Sequence, residues 1–207
     1  MKKVIVSAAL LAGGLLFSAC SSMPKVDRVD ASSLIDLSGY WDDSDVRIVC
    51  ESLINDCLNS PRVAQYIQQY SSQHPGKLPA VLVGRFGNDS SEHIDTSIIA
   101  KNMEVAIFNS GRLDFVSGGG VRQEIREERQ DQQANASEET ASALGYETGA
   151  NLMLTGVVKS IVDRAGKTTV RSYFVSAELT NIETNGRLWM GENSEIKKVI
   201  KQSSYRP

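Results

Sequence analysis

Apolar residues fall at Val46, Val49, Cys50, Leu53 and Cys57, three or four positions apart, the spacing of one face of an α-helix over residues 43–59. Ser60-Pro61 predicts a second helix, with Ser60 as N-cap, Pro61 at the first helical position and Val63, Ile67 and Tyr70 on one side. Lys77-Leu78-Pro79 closes this helical hairpin. The period then changes. Ala80 to Phe86 is a nearly unbroken apolar run, as in a strand covered on both faces. Gly87-Asn88-Asp89-Ser90 makes a turn. Asp95 caps a helix carrying Ile98, Ile99, Met103, Ala106 and Ile107, and Gly111 ends it in a left-handed cap. Leu113 to Val116 returns as a short strand.

From Val121 to Gln133 the chain turns polar, with Arg122, Glu124, Arg126, Glu127, Glu128 and Arg129 against an apolar side of only Val121 and Ile125. That predicts a solvated helix that packs weakly. A further helix is expected from Ser137 through Ala141, Leu144 and Thr148 to Gly149, with Glu138 and Glu139 in the first turn where the dipole favours them. Asn151 to Val162 is apolar almost throughout, and Arg164-Ala165-Gly166 turns the chain. Val170 to Ile182 alternates, with Tyr173, Val175, Ala177 and Leu179 on one face. Asn185-Gly186 favours a tight hairpin, and Arg187 to Ile200 is expected as one last strand carrying Trp189. These elements describe an α/β domain. It has a mixed sheet of about five strands ending in an antiparallel meander, about four helices, and a helical hairpin in front.

The first residues follow another pattern. Lys2 and Lys3 precede a 14-residue apolar run, Val4 to Phe17, and then Ser18-Ala19-Cys20. A cationic head, an apolar stretch and small residues at the cut mark a secretory signal. The run is too short to span a bilayer core, which needs roughly 20 apolar residues. Leu16-Phe17-Ser18-Ala19-Cys20 resembles a lipobox, in which the thiol of Cys20 carries the lipid, although Phe17 stands where Leu is commoner. Several acyl chains hold firmly where one holds only marginally. Ser21 follows the cysteine in place of the Asp that commonly retains such proteins in the inner membrane, so the outer membrane, facing the periplasm, is the expected location. The chain thus divides into a signal (1–19), a lipid anchor and short tether (20–41), the helical hairpin (42–76) and the α/β domain (77–202).

Composition narrows the chemistry. Without its signal the chain carries 20 Lys+Arg against 25 Asp+Glu, a net charge of −5 that argues against nucleic-acid binding. Export exposes Cys50 and Cys57 to an oxidising compartment, so a disulfide between them is one reading. Seven residues along a straight helix span about 10.5 Å, which is too far to bridge unless the helix breaks and favours two buried thiols. His74 sits in a Gln-His-Pro-Gly turn and His93 just before Asp95, neither at a metal-ligand spacing. Ser90 or Ser91 with His93 and Asp95 would be a triad made of turn neighbours, which rarely reach the geometry. Gly118-Gly119-Gly120 lacks the Lys-Ser/Thr of a phosphate loop and reads as a strand-to-helix turn. Acidic pairs such as Asp42-Asp43 lie at helix starts, where capping explains them. No residue is nominated for catalysis, and no metal or cofactor is implied.

Four motifs carry a resemblance. Gly39-Tyr40-Trp41-Asp42-Asp43-Ser44-Asp45, Gly84-Arg85-Phe86-Gly87-Asn88 with Ser91 to Asp95, Gly149 to Gly156, and Leu179 to Thr184 with Trp189 stand in the order found in the LpoB family of lipoproteins. The resemblance covers roughly residues 38 to 200. It implies a fold like the amino-terminal domain of TolB and an outer-membrane lipoprotein that activates a bifunctional penicillin-binding protein by docking, regulating cell-wall synthesis without catalytic residues of its own. The tether here is short, where the best-known members carry a long Pro-rich one, and no motif locates the contact surface. A passive envelope lipoprotein and a subunit of a curli-type secretion pore are the competing readings. The pore would need strand pairs to line a barrel, and the one candidate pair, 170–182 with 187–200, is already required by the sheet.

Overall fold

The computed structural model describes residues 26–30 and 32–202; the signal and Cys20 lie outside them. In chain order the elements are α1 (Asp43–Asn59), α2 (Pro61–Gln73), β1 (Ala80–Asp89), α3 (Thr96–Ser110), β2 (Asp114–Phe115), α4 (Gly119–Asn135), β3 (Leu152–Ala165), β4 (Thr168–Asn181), β5 (Arg187–Asn193) and β6 (Lys197–Lys201). Residues up to Ser33 and residues from Leu34 onward are two units. Among the described residues of the first, Asp30 accepts from Ser32 N and, through its carbonyl, from Ser33 N in one turn.

Six strands form one sheet in the order β2-β1-β3-β4-β5, with β6 pairing β4 beside β5. β1 runs parallel to β2 and β3, and the remaining pairs are antiparallel, so the sheet is mixed as expected. β3 and β4 pair along all 14 residues of each. Two expectations fail. The last strand is broken: the buried Asn193 turns the chain, its Oδ1 accepting from Glu195 N, and β6 restarts at Lys197, after three intervening residues, on the far half of β4. The helix expected over 137–149 is a single turn at Ser137–Ala141. Its apolar residues Leu144 and Tyr146 are exposed, and a helix of that length with no face to bury has little to hold it.

α1 and α3 cover one face of the sheet. Nine residues of α1 are buried, among them Val49, Leu53 and Cys57, and each large one contributes about 1.5–3 kcal/mol by leaving water. Ile99, Met103 and Ile107 of α3 meet them above Val81, Leu152, Leu154, Val158, Tyr173 and Val175. Gly156 makes room in this layer, because a Cβ there would overlap the Phe86 ring. Trp189 Nε1 donates to Asp56 Oδ2 at 2.8 Å, and Asn181 Nδ2 donates to Tyr66 OH at 3.1 Å, fastening the helical hairpin to the sheet. Cys50 and Cys57 are free and buried, and burial pushes both thiols up to about 12. Among the described residues, the hydrophobic core lies between Val46 and Ile196. None of the described helices is long and apolar enough to cross a membrane.

Candidate functional site

Residues 34–42 contain neither helix nor strand, yet side chains fix their far end in place. Asp42 is the N-cap of α1. Its Oδ1 accepts from Ser44 N at 3.0 Å and Asp45 N at 3.2 Å, while Asp45 Oδ2 accepts from Asp42 N at 3.0 Å. This reciprocal box satisfies donors that a helix start leaves open.

The strands supply two cations. Arg171 of β4 and Lys198 of β6 are direct register partners, and like charges placed so repel unless each has its own counter-charge. Lys198 Nζ lies 2.6 Å from Asp36 Oδ1, 2.6 Å from Asp42 Oδ2 and 2.7 Å from Asp45 Oδ2, and donates to the Tyr40 carbonyl at 2.9 Å. Arg171 Nη1 forms a short ion pair with Glu92 Oε1. The same oxygen accepts from Tyr173 OH at 2.7 Å, and Glu92 Oε2 accepts from Trp41 N at 3.2 Å. The Tyr40 ring lies 3.9 Å over the Arg171 guanidinium, and Trp41 meets Tyr173 edge-on with ring centroids 5.2 Å apart. Gly39 completes the clasp with φ +69°, and a Cβ on it would overlap Ile200.

Charge balance follows burial. Burial alone would lower the Lys198 ammonium, but Asp36, Asp42 and Asp45 outweigh it and hold the group above its usual value. Burial raises the Asp45 carboxyl despite the pull of Lys198. At Asp42 burial also pushes upward, but Lys198 and the cap bonds win and the carboxyl is held low. The carboxylates of Asp36, Asp42 and Asp45 come within 4.8 Å of one another, close enough for a divalent ion, but the charge they hold is the Lys198 ammonium.

Beside the clasp lies a groove of about 810 Å³, lined by apolar Trp41, Val46, Ile94 and Ile98 and by polar Asp43, Arg47 and His93. The structure thus joins two of the motifs picked out in the sequence, Gly39–Asp45 and Ser91–Asp95, through the Trp41–Glu92 bond across 51 residues. The Ser91 hydroxyl and the Glu92 and Asp95 carboxylates are engaged in structure. Ser91 Oγ lies 3.3 Å from Ser160 Oγ, and Asp95 caps α3, accepting from Ser97 N at 3.0 Å. His74 is elsewhere, stacked on Tyr70 at 4.4 Å. Gly118 is the N-cap of α4 with no side-chain cap bond. The arrangement suits a rigid recognition surface: the Arg171 and Lys198 cations of the clasp are neutralised by fixed neighbours. Arg171 and Lys198 were not nominated from sequence. The signal was a cation at position 171, on the inward face otherwise held by Tyr173, Val175, Ala177 and Leu179.

The family model for the peptidoglycan-synthase activator LpoB matches residues 45–195. The LpoB C-terminal domain from Salmonella enterica is similar at 15% identity and a TM-score of 0.41, with 76% of this chain and 99% of that chain covered. Escherichia coli LpoB, solved by NMR, is similar at 14% identity and a TM-score of 0.41, with 90% and 87% covered. The lipoprotein GNA1162 from Neisseria meningitidis is similar at 17% identity and a TM-score of 0.36, with 58% and 83% covered. A search of curated proteins finds no match.

Proposed function

Because the chain belongs to the LpoB family of peptidoglycan-synthase activators, we propose that it is an outer-membrane lipoprotein, anchored through Cys20, whose domain docks on a bifunctional penicillin-binding protein in the periplasm and raises its activity. The family match over residues 45–195 carries this reading. Two features of the molecule support it. The chemistry-bearing side chains of the clasp are tied to one another, as suits a protein that acts by binding. The clasp also holds its groove in one shape, which reduces the ordering cost of a docking event.

The clasp bears on reach. Asp36 is held on Lys198, so residues 20–35 link the anchor to the clasp and span at most roughly 50 Å if fully extended. The partner surface must come within that distance, plus the breadth of this chain's own domain, of the outer membrane. The test adds the chain from Leu34 onward to each bifunctional synthase of its host and measures glycan polymerisation and cross-linking. Stimulation of one synthase is expected; no binding and no rate change with any of them would leave the passive envelope lipoprotein as the better reading. Cys20→Ala is expected to release the protein into the soluble periplasm, and retention in the membrane fraction would overturn the anchor.

A further inference from the structure

α4 carries its charges on opposite sides. At about 3.6 residues per turn, Arg122, Arg126 and Arg129 share one face, and Glu124, Glu127, Glu128 and Asp131 lie about half a turn round from them. The arginine face meets the segment 142–148. Arg126 and Arg129 share the carboxylate of Glu147, and Gln133 Nε2 donates to the Ser142 carbonyl at 2.9 Å. Three guanidinium groups therefore stand around one carboxylate, and this side of the helix keeps an excess of two positive charges. Arg122 has no part in the pairing. Its Nε donates to the Ser117 carbonyl at 2.9 Å, which draws the guanidinium back toward the start of the helix. Its Nη2 is buried and meets no acceptor among the described residues.

That placement is unfavourable twice over. A buried N–H without an acceptor costs stability, and a cation at the positive end of a helix is repelled by it. α4 offers no relief of its own, because its N-cap Gly118 makes no side-chain cap bond. An anion beside Arg122 would answer both. The space for one is a cleft of about 230 Å³, lined by Arg122 and Arg129, by Ser117, Thr148 and the engaged Glu147, and by apolar Ile125. We propose that this cleft binds a phosphate group. The two unanswered charges match a phosphate monoester, which carries about −1.5 to −2 at neutral pH; a single carboxylate would leave one of them unanswered. The cleft is smaller than the roughly 300 Å³ at which sites for whole drug-sized ligands begin, so it takes the phosphate and leaves most of its bearer outside. Ile125 and Tyr146, 38% and 85% exposed, stand at its border. The site therefore accepts free phosphate, and its apolar border also fits the phosphate of a lipid headgroup.

The test titrates the chain from Leu34 onward, which holds the described hydrophobic core, with inorganic phosphate at constant ionic strength, following its amide resonances with chloride as the control. Phosphate, and not chloride, should shift Gly119, Gly120 and Arg122. Arg122→Gln should weaken binding at least about tenfold. Because α4 buries no residue, the melting temperature should stay where it is. Glu127→Gln, on the opposite face, should bind phosphate as the unaltered chain does. Gly118→Asp separates binding from stability. Residue 118 has φ −117° and room for a Cβ, so the new carboxylate should cap α4 and slow its amide exchange, yet weaken phosphate binding several-fold by occupying the first turn. A second arm co-sediments the chain with phosphatidylcholine vesicles, with and without phosphatidic acid. Capture that needs phosphatidic acid and is lost in Arg122→Gln supports the site with a lipid as its source, and a phosphate titration without capture supports it with a soluble phosphate. No phosphate-dependent shift together with no capture, binding that survives Arg122→Gln, or an equal response to chloride would overturn the proposal. None of these outcomes depends on whether a synthase is activated.

Discussion

α1 and α4 are each 17 residues long, but nine residues of α1 are buried and none of α4. α1 begins at a reciprocal Asp42–Asp45 box tied to Lys198; α4 begins at Gly118 with no side-chain cap. α4 holds its shape by local means. Gln123–Glu127, Glu128–Gln132 and Asp131–Asn135 pair one turn apart, and Arg126 and Arg129 share the carboxylate of Glu147. Such pairs give a few tenths of a kcal/mol each, against several for a buried face. The comparison shows two ways to make a helix from one chain. One belongs to the cooperative core and the other does not, so they should fail separately.

The largest effect should come from α1. Leu53→Ala removes a side chain that is 2% exposed and should cost about 3–5 kcal/mol of global stability, read by denaturant unfolding. Lys198→Met leaves three carboxylates facing one another. Because Asp36 is 62% exposed and partly solvated, the loss should be about 2–3 kcal/mol, below that of a fully buried pair. Acid should probe the same end of α1 more gently. Burial alone would raise Asp42, but Lys198 and the cap bonds hold it low. It therefore adds stability that is present above the ordinary aspartate value of about 3.9 and is lost as the pH falls through its lowered value. Asp45, raised by burial, works the opposite way and tempers the loss. In Lys198→Met only the cap bonds still pull Asp42 down, and the acid limb of the stability curve should flatten; an unchanged limb would mean the Lys198 clasp is not its source. Smallest is Glu147→Gln. It should leave the melting temperature of the domain unchanged while speeding amide exchange along α4, and a global shift would show that α4 belongs to the core after all.

The same contrast explains what could be read in advance. α1, α3, β1, β3 and β4 announced themselves because each buries a stripe or a face, and burial leaves a period in the sequence; α2 buries only Val63 and was marked by Ser60-Pro61. α4 was legible as a solvated helix for the opposite reason, its lack of such a stripe. The region 137–149 misled because Ala141, Leu144 and Thr148 have helical spacing, but spacing predicts a helix only where something covers it, and Leu144 and Tyr146 meet solvent. The last strand misled because pairing partners are not written in the sequence. Nothing in Asn193-Ser194-Glu195 says that β6 must restart on the other half of β4.

The sequence by itself determined the class of fold, the order of its elements and the motifs that mark its family, because these rest on local periods and spacings. Which of those motifs meet was decided only by tertiary structure. Trp41 reaches Glu92, and Lys198 gathers Asp36, Asp42 and Asp45 from the other end of the chain. The physical reason is that a buried charge takes its partner from whatever the packed sheet brings within reach, at any distance along the chain.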